Sequence, residues 1–231
     1  MVDLGAVKEA PACTLARSAI AAAGNARGLV EDAELLSGAG RRARAYSLAG
    51  LAVEEVGKAG SLATLAAMPE NLRARAPVGR MLEWHQLKLV SGQLIAAVPL
   101  PAIGPRWTTG FVTIPVSDIA EILANAQAFA EDTDRLKQRG LYVDVDRGGQ
   151  IREPSEVTAA ETHQQLVRAQ QAASAASAML GPAAVARIAN PDATGVEFSR
   201  ALVSAFGEAR LARSPEAAAD VLLNTATKVH G

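Results

Sequence analysis

One run of apolar residues, with charges at its middle, limits this chain more than any other feature. Residues 45–67 read AYSLAGLAVEEVGKAGSLATLAA. The run is long enough to cross a bilayer. Glu54, Glu55 and Lys58 stand at its centre, however, where each charge costs roughly 2.5–3.5 kcal/mol on insertion. A helix apolar on every side is otherwise the central helix of a globular bundle. The run therefore predicts an all-α protein with a buried central helix and no membrane span.

Helical spacing sorts this run into faces, since residues three, four and seven apart lie in line. Glu55 aligns with Leu48, Leu51, Ala52, Ala59 and Leu62, a core stripe. Glu54 aligns with Ser47, Gly50, Lys58 and Ser61, with Gly57 beside them. That small-residue stripe lets another backbone come close. Each glycine costs about 1 kcal/mol in a helix interior, so Gly50, Gly57 and Gly60 together point to packing rather than exposure. Both acids are expected below the surface, where each needs a cation or a donor. Lys58 is placed to pair with Glu54 at i,i+4, which leaves Glu55 to look to another helix. Such a cluster either fixes helix register or makes a site with perturbed ionisation.

The remaining punctuation gives a helical chain. A first helix is expected from about Lys8 to Leu36, with Asn25 and Gly28 as points of interruption and Gly38 and Gly40 as its stop. The central helix follows from about Arg41 to Ala67, then a short basic turn from Asn71 to Arg75, and a third helix from Arg80 to Ala97. Residues 98–115 hold four prolines and two glycines and read as an ordered flap. A fourth helix opens with the capping box Asp118/Glu121 and stops at Gly140. Residues 141–150 alternate and turn like a short hairpin. A fifth helix begins near Ser155 or Thr158, with Glu161 completing a box, and ends before Gly181. Sixth and seventh helices follow Thr194 and Ser214.

Composition excludes several function classes. With 231 residues, one large domain can bury its core without cross-links. Residues 1–150 form the core in this reading, and the helices of 151–231 pack on it as part of one domain. Net charge is −1, so nucleic acid binding needs a local basic patch, and nothing points to DNA. The single cysteine, Cys13, makes neither an intramolecular disulfide nor a cysteine zinc site. The start, MVDLGAVKEAP, lacks a signal-peptide pattern, and the expected location is cytoplasmic.

Chemistry centres on few residues. The chain has three histidines, His85, His163 and His230, and only His85 has a charged neighbourhood, with Arg80 before it and Lys88 one turn after. His85 shares a face with Leu82 and Leu89, so it should point inward or into a cleft. No Glu-x-x-His repeat supports a di-metal bundle, no glycine loop supports a nucleotide site, and no cofactor is expected. Arginines and lysines gather at helix ends, at Arg41, Arg42 and Arg44, at Arg73, Arg75 and Arg80, and at Lys137, Arg139 and Arg147. They would make a basic rim if helices two, three and four are neighbours.

Three segments, in order, carry a resemblance. Residues 45–59 resemble the S-x-L-A-x-x-A-x-E-E-x-G-K helix of the AbiV abortive-infection family, His85-x-x-Lys88 is similar to its next polar pair, and residues 136–144 (LKQRGLYVD) look like its K-x-x-G-L-Y-V-D segment. The family lies in the HEPN superfamily. The resemblance implies a HEPN-like antiparallel bundle, a homodimer, and phage defence by a toxin that binds RNA or cuts it as an endoribonuclease without metal. Its Arg-x(4–6)-His motif falls on Arg80 and His85. Five residues turn a straight helix by about 140°, so the two meet only where the helix is interrupted, or across a dimer. In this reading His85, Arg80, Glu54, Glu55 and Lys58 form the centre, and Lys88, Lys137, Arg139, Tyr142 and Asp144 bind substrate around it. The competing reading is a non-enzymatic module that captures a phage or translation protein.

Overall fold

The computed structural model describes residues 4–74, 76, 78–83, 85–97, 116–145, 148–152 and 157–180. The expected flap at 98–115, the sixth and seventh helices, and Trp84, Arg75 and Arg147 lie outside the described residues. The elements are α1 (Leu4–Glu9), α2 (Ala12–Gly38), α3 (Arg42–Ala67), α4 (Glu70–Arg73), α5 (Val78–Glu83), α6 (His85–Ala97), α7 (Val116–Leu141), β1 (Asp144–Val145), β2 (Ile151–Arg152) and α8 (Ala159–Met179).

The apolar run becomes α3, and α2, α6, α7 and α8 all pack on it. Val53, Val56 and Leu65 are fully enclosed at its middle, each contributing roughly 1.5–3 kcal/mol by leaving water. The facing side of α2 is a ladder of Ala16, Ala19, Ala23, Ala26 and Ala33 at helical spacing, which permits a short distance between axes. Gly40 takes φ +74° and closes α2. The Arg41 N–H donates back to Leu36 O at 2.8 Å, a left-handed stop that turns the chain straight into α3.

Small residues set the α3–α6 crossing. A β-carbon on Gly57 would collide with the Lys88 carbonyl, and one on Gly92 would collide with that of Val53. The stripe predicted from sequence is thus a seam, with α6 lying on Gly57 and α7 on Ser47 and Gly50. The capping box of α8 is also as expected, with the Glu161 N–H donating to Thr158 Oγ1 at 3.2 Å and the Thr158 N–H to Glu161 Oε2 at 2.7 Å. The hairpin forms too, with Asp144 opposite Arg152 and Val145 opposite Ile151.

Several boundaries differ from the sequence reading. α2 runs unbroken through Asn25 and Gly28, because its alanine ladder packs along the whole length. The third helix is described as Val78–Glu83 and His85–Ala97, on either side of Trp84. α7 begins at Val116, ahead of Asp118, and continues through Gly140. Gly140 is no stop: a β-carbon there would stand 2.6 Å from Ala43 O and 2.5 Å from Ser47 Oγ. Glycine is needed there because α7 presses its last turns on α3, and the Ser47 hydroxyl donates to Lys137 O at 3.3 Å across the contact.

Candidate active site

Glu54 lies on the seam side of α3 and is 2% exposed. Three cationic or donating groups converge on it from two other helices. His85, the first residue of α6, brings Nδ1 to Glu54 Oε2 at 2.6 Å. Lys88, one turn on, brings Nζ to the same oxygen at 3.1 Å. Lys137 of α7 donates to Glu54 Oε1 at 2.5 Å and also meets Asp134 Oδ1 at 3.2 Å. Burial pushes the Glu54 carboxyl up, but the hydrogen bonds from Lys137 and His85 and the charges of Lys137 and Lys88 outweigh it, and its ionisation falls below the ordinary carboxylate value.

The charges balance locally. Glu54 and Asp134 supply two negatives, Lys88 and Lys137 two positives. An ionised Glu54 can only accept, so His85 Nδ1 carries the hydrogen. The His85 side chain is 57% exposed, against 11% for Lys88 and 4% for Lys137. Among the described residues nothing bonds its other nitrogen, Nε2, whose lone pair is then available from outside. Leu82 and Leu89, the neighbours predicted to share its face, are buried.

Two pairings differ from the sequence reading. Lys58 does not meet Glu54; its Nζ donates to Glu55 at 3.2 and 3.4 Å, an i,i+3 pair. Glu54 is turned into the seam, where α6 and α7 already bring Lys88, His85 and Lys137. Among the described residues Glu55 is not in the core and reaches no other helix; it and Lys58 are part-exposed, 20% and 32%, on a shoulder of α3 beside the centre. Lys137, expected on the rim, is among the most deeply placed members. Arg73 is not on a rim either: it is buried, with Nε donating to Lys8 O at 3.1 Å, and ties α4 to α1. Arg41, Arg42 and Arg44 are exposed, and Tyr142 is 60% exposed just past α7.

Arg80, Arg139 and Asp144 belong to α5, α7 and β1, with their side chains outside the described residues. Asp134 escaped the sequence reading. Its signal was the inward stripe of α7, Ala130, Thr133, Lys137 and Gly140 at helical spacing, which places a lysine in a closed seam with Asp134 one turn away to hold it.

Comparison with known proteins agrees with this architecture. The family model HEPN_AbiV, described as AbiV, matches residues 14–174, which is more than half of the chain and runs from α2 into α8. No curated protein and no solved structure matches. The match and the helical architecture define an all-α HEPN protein. The chain belongs to the AbiV family of abortive-infection proteins. Among the described residues no helix is long and apolar enough to cross a membrane.

Proposed function

We propose that this protein acts in phage defence by cutting RNA, with His85 as general base. The observation that carries the reading is the buried Glu54 carboxylate on His85 Nδ1 at 2.6 Å beneath a ring that is 57% exposed. A carboxylate there holds the imidazole in one orientation and one tautomer and leaves Nε2 to take a proton. With RNA in place, Nε2 takes the 2′-hydroxyl proton as the O2′–P bond forms, and the P–O5′ bond breaks. The products end in a 2′,3′-cyclic phosphate and a 5′-hydroxyl, the departing O5′ taking its proton from water and the imidazolium returning its own to solvent. Lys88, and Arg80 of α5, are the cations for the phosphorane oxygens.

Both Glu54 oxygens already hold lysine or histidine, so a divalent ion would have to displace them. The reaction is therefore expected to run without metal. Glu55 and Lys58 flank the centre, and Arg139 of α7, Tyr142 just past it and Asp144 of β1 are the groups for the strand beyond it. A homodimer would bring a second set of these groups. The test is incubation of the purified protein with RNA in excess EDTA: cleavage with cyclic-phosphate ends supports the reading, and metal-dependent cleavage or none opposes it.

A second reading is supported by the hairpin. Leu141, Tyr142, Val143 and Ile151 are 41–71% exposed, a small apolar surface of the kind that receives proteins. In that case the protein captures a phage or translation protein and the Glu54 cluster is structural. A stoichiometric protein partner in pull-downs, lost in Ile151→Asp and Val143→Asp, with no RNA cleavage, is what this alternative requires.

A further inference from the structure

We infer that Asp134 is a positioning residue for His85: by sharing the Lys137 ammonium with Glu54, it sets how much of the Glu54 charge is left for the imidazole. Lys137 stands between two carboxylates, 2.5 Å from Glu54 Oε1 and 3.2 Å from Asp134 Oδ1. It is 4% exposed and Glu54 3%, so their interaction is little screened. Asp134 is 33% exposed and touches Glu54 only through the lysine among the described residues. Drawing the ammonium toward Asp134 weakens its hold on Glu54, which strengthens the pull of Glu54 on the ring. Removing Asp134 gives the lysine wholly to Glu54 and weakens that pull.

The other charged groups around the pair come from every helix packed there. α3 supplies Glu55 and Lys58, which neutralise each other. α6 supplies Lys88 on Glu54 Oε2. α7 adds Asp132 and Arg135, paired at 2.9 Å and exposed. α8 directs Arg168 onto the Phe129 ring at 4.5 Å, α5 carries the exposed Glu83, and α2 meets α3 through alanines. Of these, only Lys137 bridges Glu54 to a second acid. The inference gains its functional meaning from the reading of His85 as the acting group, but it concerns the ring in the free protein.

The experiment is a proton NMR titration of the imidazoles, three in this chain, with the His85 signal assigned by its loss in His85→Ala. In Asp134→Asn the His85 midpoint moves down by about half a pH unit. The movement persists in about 1 M salt, where exposed charges are screened beyond about 3 Å, because it is transmitted through a buried contact. In Lys137→Met the midpoint moves up, since imidazolium replaces the lost cation, and the double variant titrates like Lys137→Met. An unmoved or upward midpoint in Asp134→Asn, a downward movement erased by salt, or a double variant that departs from Lys137→Met overturns the inference. If Lys137→Met does not fold, the two Asp134→Asn titrations decide alone. RNA is absent throughout, so failure to cut RNA leaves the result standing, and a flat titration leaves the RNA reading standing.

Discussion

Glu54 of α3 and His85 of α6, 31 positions apart in the chain, meet at 2.6 Å with the carboxylate enclosed and the ring half open to solvent. Neither residue makes the arrangement alone. It exists because Gly57 and Gly92 let α6 lie on α3 closely enough for the first turn of α6 to cover Glu54, while Gly140 brings α7 in from the other side with Lys137.

The two adjacent acids should differ sharply in their effect on stability. Glu54→Gln leaves Lys88 enclosed without a counter-charge and Lys137 with Asp134 alone, and should cost about 3 kcal/mol, near the figure for breaking a buried pair from one side. Glu55→Gln loses a part-exposed contact with Lys58 and should cost about 0.5 kcal/mol. Urea unfolding of the two variants measures both.

The pH dependence follows from the depressed ionisation of Glu54. A carboxyl whose folded value lies below its unfolded value adds stability that is fully present above the ordinary value of 4.5 and disappears as pH falls through the lower, folded value. The stability difference between the protein and Glu54→Gln should therefore be complete at neutral pH and shrink in acid below 4.5. Thermal unfolding across that range reads the convergence. A gap that widens in acid contradicts the assignment.

Glycine substitutions separate seam from surface. Gly57→Ala puts a methyl into the Lys88 carbonyl and should cost about 2–3 kcal/mol, since backbone cannot swing aside as a side chain would. Gly28→Ala meets nothing within 4 Å and should stabilise α2 by about 0.5–1 kcal/mol. Opposite changes in thermal midpoint are the expected result.

Tyr142 offers an aromatic face that is exposed among the described residues. Tyr142→Ala, at a 60% exposed position, should leave the thermal midpoint unchanged. On the RNA reading it weakens single-strand binding by about 1–3 kcal/mol, the scale of one stacked base. Fluorescence titration with a short oligonucleotide checks it.

Much of the architecture was legible in the sequence because its signals are local. Thr158 and Glu161 cap each other within one turn, Gly40 closes α2 beside it, and the stripe of Ser47, Gly50 and Gly57 announces a close neighbour. The identity of that neighbour was not legible. Spacing on one helix gave Lys58 to Glu54 and sent Glu55 to another helix, the reverse of the structure, because the cations that win Glu54 arrive from 34 and 83 positions away. Gly140 misled in the same way: glycine after Lys137 and Arg139 is a common helix end, and only the packing of α7 on Ala43 and Ser47 shows it as a contact. Reading Lys137 as part of a solvated end then hid Asp134.

The central claim is that the imidazole held by Glu54 performs the chemistry, and the most direct measurement is the rate of RNA cleavage by His85→Ala beside the unsubstituted protein, in EDTA, with circular dichroism of both. The account predicts a loss of about 100-fold or more, the scale of general acid–base catalysis, with helicity retained because the ring is 57% exposed. Cleavage by His85→Ala at the unsubstituted rate would contradict it.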